Sequence, residues 1–105
     1  FPYTTLFRSV DRNGFQQGSP TSKTNELDPL DKKFESFGWE AVVLDGHDHA
    51  ALYKAFTDPQ TKPRVVIAQT TKGKGVDFME GKAEWHHKVP SAEQYEAALE
   101  QVSKQ

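Results

Sequence analysis

The 105-residue chain predicts an α/β fold, the closing part of a doubly wound parallel sheet with flanking helices. Three observations lead there. Glu40-Ala41-Val42-Val43-Leu44 and Val65-Val66-Ile67-Ala68 are short runs that read as continuously apolar rather than alternating, as expected of strands covered on both faces. A helical pattern lies between them, in the order of a βαβ unit, so the strands are expected to be parallel with a right-handed crossover. Each run gives way to polar residues and glycine, and in open α/β sheets ligands sit beyond the carboxyl ends of the strands.

The elements follow in order. Val10 is expected to close a strand whose earlier part is missing or replaced. Residues 1–9 read as a leader not native to the domain, because they have neither the order of a signal peptide nor a strand alternation. Asn13-Gly14 is a strong turn pair, since both residues accept positive φ. Residues 16–24 are polar, contain Gly18 and Pro20, and read as a loop. Asp28-Pro29 opens a helix, with Asp28 as cap and Pro29 at the first helical position. Leu30, Phe34 and Phe37 make one apolar stripe on it, and Gly38 ends it. Asp48 is placed to cap a helix carrying Leu52, Ala55 and Phe56, which the segment from Asp58-Pro59 to Pro63 breaks. Residues 72–90 form a long irregular loop, a length often associated with function. Ser91-Ala92-Glu93-Gln94 is a capping box, starting a last helix with Tyr95, Leu99 and Val102 on one face.

Composition bounds the function classes. The chain is one domain at most, able to bury roughly 60–65% of its unfolded surface. A net charge of -2 does not point to nucleic acid. The sequence contains no cysteine, which excludes thiol catalysis, Cys-ligated zinc and disulfides within it. That fits a cytosolic protein as well as any other. No apolar run approaches the roughly 18 residues of a membrane span.

Taken singly, the polar segments say little. Asn-Gly is usually a turn, Lys72-Gly73-Lys74-Gly75 a solvated one, and His86-His87 lacks the spacing of a zinc pair. Their combination and order carry more. Asp11-Arg12-Asn13-Gly14-Phe15-Gln16, then Val43-Leu44-Asp45-Gly46-His47, then Thr71-Lys72-Gly73-Lys74-Gly75, Met79, Trp85-His86 and Pro90 resemble the latter half of the thiamine-diphosphate-binding N-terminal domain of transketolase, above all the short N-terminal subunit of its split form. The resemblance covers residues 10–105, and implies the thiamine-diphosphate-binding fold.

The resemblance implies a site. Asn13 matches a family asparagine that binds a divalent cation, and Phe15 the position whose backbone carbonyl also binds it. Amide and carbonyl oxygens are hard ligands suited to Mg²⁺ or Ca²⁺. Lys72 matches the family lysine near the cofactor; Gln17, or else Gln16, matches a family glutamine there. His86 matches the histidine beside the diphosphate and the substrate, and is the expected catalytic group. Asn13 and His86 are thereby expected to face one diphosphate. Asp45 and His47 also match, and are expected to cap and shape a turn. The family's Gly-Asp-Gly segment, which supplies an aspartate to the cation, is not in these 105 residues, and His87 stands where many relatives have glycine.

The implied activity is transfer of a two-carbon ketol unit between sugar phosphates in the pentose phosphate pathway, in the cytoplasm. A C-terminal subunit or domain would carry the aminopyrimidine side, in a homodimer or heterotetramer. Nucleic acid and membrane are not expected partners, and the chain alone is expected to be inactive. The related synthase that makes deoxyxylulose phosphate shares the Asp-Gly-His and Lys-Gly-Lys-Gly features, but Trp85-His86 favours transketolase. The non-catalytic alternative is a small α/β interaction module with solvated loops.

Overall fold

The sheet is built around one strand. In the computed structural model, which describes residues 7–104, Arg64–Gln69 (β5) is central in a three-stranded parallel sheet. Its β-branched run leaves Val65 and Val66 0% exposed, with Ile67 and Ala68 also buried. Phe7–Arg12 (β1) lies on one side, with Val10 opposite Ile67. Glu40–Asp45 (β4) lies on the other, with Val43 opposite Ile67, giving the order β1–β5–β4. The strand expected to close at Val10 thus runs on to Arg12. Of the nine residues read as a leader, 1–6 lie outside the described residues, and Phe7, Arg8 and Ser9 form half of β1.

The chain divides into two units. The first, residues 1–13 and 26–70, holds this sheet and the helices Leu30–Ser36 (α2) and His49–Thr57 (α3). β4 is less buried than its apolar run suggested: Val43 is exposed and Ala41, Val42 and Leu44 are half-buried. Among the described residues it pairs on one side only, with β5. Asp48 caps α3 as expected, accepting from Ala50 N at 2.9 Å and Ala51 N at 3.0 Å.

The start of α2 differs from expectation. Pro29 occupies the cap position itself, and among the described residues no side chain caps the helix. The Asp28 carboxylate accepts instead from Arg12 Nη2 at 2.9 Å, a charge-assisted bond from a neighbouring strand. The end of α2 is a Schellman motif: Gly38 N donates to Glu35 O at 2.9 Å and Trp39 N to Phe34 O at 3.2 Å. The rings of Phe34 and Trp39 meet edge-on, centroids 5.8 Å apart, as the hydrophobic contact of that motif. Phe37 therefore falls at the C-cap and is 82% exposed, off the stripe it was expected to extend.

Arg64 sits at the start of β5, 4% exposed. Nε and Nη2 donate to Glu40, Nη1 to Ala55 O and Asp58 O, and Nη2 also to Pro59 O. Five donors thus find five acceptors, three of them carbonyls at and just beyond the C-terminal end of α3.

The second unit, residues 14–25 and 71–105, contains a two-stranded ribbon, Phe15–Gln16 (β2) with Ser19–Pro20 (β3), and the single helical turn Thr21–Thr24 (α1). The stretch expected to be loop is thus partly ordered, reversing at Gln17-Gly18, with Gln17 at φ 54°. Thr21 is buried, its N and Oγ1 both donating to Gly14 O, at 2.9 and 3.3 Å.

Residues 72–90 are turns plus one 3₁₀ helix, Ala83–His86. The capping box then forms as expected: Gln94 N donates to Ser91 Oγ at 3.2 Å, and Ser91 N to Gln94 Oε1 at 3.0 Å. It opens the last helix, Ala92–Val102 (α4). Its expected apolar face stays open, with Tyr95, Leu99 and Val102 55%, 49% and 46% exposed. The less exposed stripe is Gln94, Ala98 and Gln101, because Gln101 is tied to the loop. Its Oε1 accepts from Asp77 N and its Nε2 donates to Asp77 Oδ1, both at 2.9 Å. Among the described residues no helix is long and apolar enough to cross a membrane.

Candidate functional site

Parallel pairing in register brings the carboxyl ends of three strands side by side. Gln69 lies opposite Arg12 of β1 on one side and Asp45 of β4 on the other. The residues that follow, Asn13, Gly46 and Thr70, therefore share one edge of the sheet. Asp11 links two of these strand ends. One carboxylate oxygen accepts from the Thr70 hydroxyl, and the other from Asn13 Nδ2 at 3.4 Å. A carboxylate only accepts, so the Asn13 atom turned toward it is the amide nitrogen. The amide oxygen is then directed to the other side.

At the end of β4, Asp45 shapes the turn. Its Oδ1 accepts from His47 N at 2.9 Å and its carbonyl from Asp48 N at 3.1 Å. Gly46 N donates to Gln69 O at 2.8 Å. A side chain at Gly46 has no room: its Cβ would overlap Thr70 Cγ2 and lie 3.0 Å from Ala68 Cβ. His47 itself is exposed.

Phe15, Gln17, Lys72 and His86 belong to the second unit. Phe15 is half-buried in β2, opposite Pro20, and Gln17 is exposed at the reversal of that ribbon. Lys72 opens the long loop, and its carbonyl accepts from Gly81 N at 2.9 Å. Lys74 pairs with Glu80 at 3.7 Å, Lys82 donates to Phe78 O at 3.0 Å, and Lys88 pairs with Glu84 at 3.4 Å. Among the described residues Lys72 is in no ion pair, so its charge is not committed within the loop.

His86 is exposed at the end of the 3₁₀ helix because its neighbour is anchored. Trp85 Nε1 donates to Phe78 O at 2.9 Å, and the two rings are 5.4 Å apart. Lys88 Nζ lies 4.5 Å from the Trp85 ring centroid, a cation–π contact. With the indole held this way, the imidazole of His86 meets His87 edge-on, centroids 4.5 Å apart.

Among the described residues no group of three or more His, Asp or Glu is placed to hold a metal. An amide oxygen, as at Asn13 in the first unit, and a backbone carbonyl, as at Phe15 in the second, are each a hard donor of the type that divalent cations such as Mg²⁺ or Ca²⁺ accept. Asp11 and Thr70 were not singled out as site residues from sequence. The signal for Asp11 was its place two residues before Asn13; Thr70 had none beyond following an apolar run.

No protein-family model matches the chain. Individual proteins do. An apulose-4-phosphate transketolase subunit from Phocaeicola vulgatus is 39% identical over 101 residues, spanning 93% of this chain and 36% of that protein. Its namesake from Actinobacillus succinogenes is 45% identical over 94 residues, 88% of this chain and 34% of that one. Human transketolase is 33% identical over 100 residues, 95% of this chain but 16% of its own length. A crystal structure of transketolase from Campylobacter jejuni matches with a TM-score of 0.81 and 28% identity, covering 92% of this chain and 16% of that one. The chain thus spans a minor part of each relative. Over most of its length, it is a homologue of one portion of transketolase, with the α/β parallel-sheet fold of that portion.

Proposed function

We propose that the complete protein is a transketolase-type transferase, using thiamine diphosphate and a divalent cation, Mg²⁺ or Ca²⁺, to move a two-carbon ketol unit between sugar phosphates, and that this chain furnishes part of the cofactor site. The observation that carries this reading is the Asn13 carboxamide at a parallel strand tip, with its nitrogen turned to Asp11 and its oxygen away. The relatives named as transketolases support the same reading.

When bound, thiamine diphosphate supplies the carbanion chemistry of ketol transfer. Asn13 contributes its amide oxygen and Phe15 its carbonyl to the cation. Lys72 offsets diphosphate charge, as a point charge on a flexible stem. Gln17 hydrogen-bonds the cofactor. His86, exposed and held by its Trp85 neighbour, hydrogen-bonds substrate hydroxyls and, in its neutral form, takes a proton from a hydroxyl at its unprotonated ring nitrogen.

The reading also assigns a C-terminal subunit or domain as partner, a homodimer or heterotetramer as the assembly, a cytoplasmic setting and a role in pentose phosphate metabolism. Asn13→Ala and His86→Ala in the complete protein test it. Both are expected to lose cofactor-dependent transfer between pentose phosphates, His86→Ala by about 100-fold or more in kcat. Unchanged activity in both would leave the non-catalytic module standing. Turnover of pyruvate with triose phosphate instead would move the assignment to the deoxyxylulose phosphate synthase. The chain by itself is expected to show no turnover, and weak or no heat of binding when titrated with thiamine diphosphate and Mg²⁺.

A further inference from the structure

We infer that Asp11 and Thr70 are positioning residues that orient the Asn13 carboxamide and thereby set the affinity for the divalent cation. This rests on the cation site proposed above, and concerns two residues to which that site assigns no ligand role.

The geometry runs across three neighbouring strands of one unit. Gly46, just past β4, leaves space that the Thr70 methyl occupies. The Thr70 backbone N donates to Arg12 O at 3.5 Å, holding the end of β5 against the end of β1. With its methyl against Gly46, Thr70 directs its hydroxyl to Asp11, 59 residues away in sequence. Asp11 is thus held from β5 through one oxygen and accepts from Asn13 Nδ2 through the other.

An amide rotated by half a turn exchanges its oxygen and nitrogen at almost no steric cost. Asp11 is a partner that distinguishes the two orientations. A carboxylate at position 11 accepts and cannot donate, so only the orientation with NH₂ toward it forms a hydrogen bond with Asp11. That orientation sends the oxygen away, as a cation ligand must be sent. An amide at position 11 would offer either an oxygen or an NH₂ group, and the discrimination would be lost. Thr70 enters one step further out: without its hydroxyl, Asp11 loses the bond that fixes its own rotation. Partners of this outer kind are typically worth 10–100-fold in metal affinity. The pattern of residues serves this arrangement at each step: a glycine where a methyl must fit, a β-branched hydroxyl residue where both methyl and hydroxyl are used, and a carboxylate where the group must accept twice.

The test uses the complete protein, with Mn²⁺ as the probe and its binding followed by electron paramagnetic resonance at saturating thiamine diphosphate. Asp11→Asn and Thr70→Val are expected to raise the Mn²⁺ dissociation constant about 10-fold or more. At saturating Mn²⁺ their kcat is expected to stay within about twofold of the unmodified enzyme, since the loss is one of binding. Thr70→Ser, which keeps the hydroxyl, is expected to restore most of the affinity. If Asp11→Asn and Thr70→Val bind Mn²⁺ as the unmodified protein does while Asn13→Ala does not, the positioning role is overturned and the cation site stands. If Asn13→Ala also binds Mn²⁺ normally, the site is overturned and this proposal with it. Should Thr70→Val fail to fold, Asp11→Asn decides the matter alone.

Discussion

Arg64 and Glu40 stand opposite each other in register on neighbouring parallel strands, joined by Nε to Oε2 at 3.0 Å and Nη2 to Oε1 at 3.2 Å. The pair is asymmetric: the arginine side chain is 5% exposed and the glutamate 43%. Removing one partner therefore has unequal effects. Arg64→Met orphans the carbonyls of Ala55, Asp58 and Pro59 and is expected to cost about 3 kcal/mol, the lower end for breaking a buried pair. Glu40→Gln leaves the guanidinium's other bonds in place and is expected to cost about 1 kcal/mol. Urea denaturation of the two variants checks the ratio; equal costs would show that the carbonyl bonds contribute nothing beyond the ion pair.

Gly73 is a tightly constrained point of the long loop. Its φ is +71°, and a Cβ there would lie 2.8 Å from the carbonyl oxygen of Met79. Gly73→Ala is expected to cost about 2 kcal/mol from the left-handed backbone, with a further cost from the overlap. The Gly81 amide, which donates to Lys72 O, should then exchange with solvent faster. Amide hydrogen exchange at that position reports it; unchanged protection would mean the loop rearranges around the methyl group.

On α4 the apolar and polar stripes exchange their expected importance. Tyr95→Ser and Leu99→Ser are expected to change stability by less than about 0.5 kcal/mol each, being substitutions at exposed positions in this chain. Ser91→Ala removes the cap and is expected to cost about 1 kcal/mol. Gln101→Ala breaks both bonds to Asp77 and is expected to cost about as much. Helix content and the denaturation midpoint of the four variants rank them. A larger loss for Leu99→Ser than for Gln101→Ala would reverse the assignment of faces.

Lys72 is assigned to the diphosphate on its charge. In the complete protein Lys72→Met is expected to raise the KM for thiamine diphosphate about 10-fold, the loss of one hydrogen bond to a charged group. Lys72→Arg, which keeps the charge, should recover part of this, and added salt should weaken the unmodified protein more than Lys72→Met. A KM unaltered by Lys72→Met would remove this residue from the site.

Most of the local structure was legible in the chain because its causes are local. Asp48 caps α3 through amides two and three residues on, and Ser91 and Gln94 satisfy each other across a single turn. The continuous run Val65-Val66-Ile67-Ala68 marked a buried strand, since burial on both faces removes any need for alternation. The resemblance to transketolase was legible for a similar reason, residing in short motifs in a set order.

What only the tertiary structure decided are the interactions between distant residues. Asp28 reads as a helix cap, but an arginine on the adjacent strand offers a charged donor, and the cap is given up. Tyr95, Leu99 and Val102 have helical spacing, but Gln101 finds Asp77 and turns another face inward. Asp11 and Thr70 are separated by 59 residues and meet because parallel pairing aligns the ends of β1 and β5. Propensities, caps and turns are written in neighbouring residues, whereas a polar side chain's choice of partner depends on which groups the fold brings within hydrogen-bonding distance.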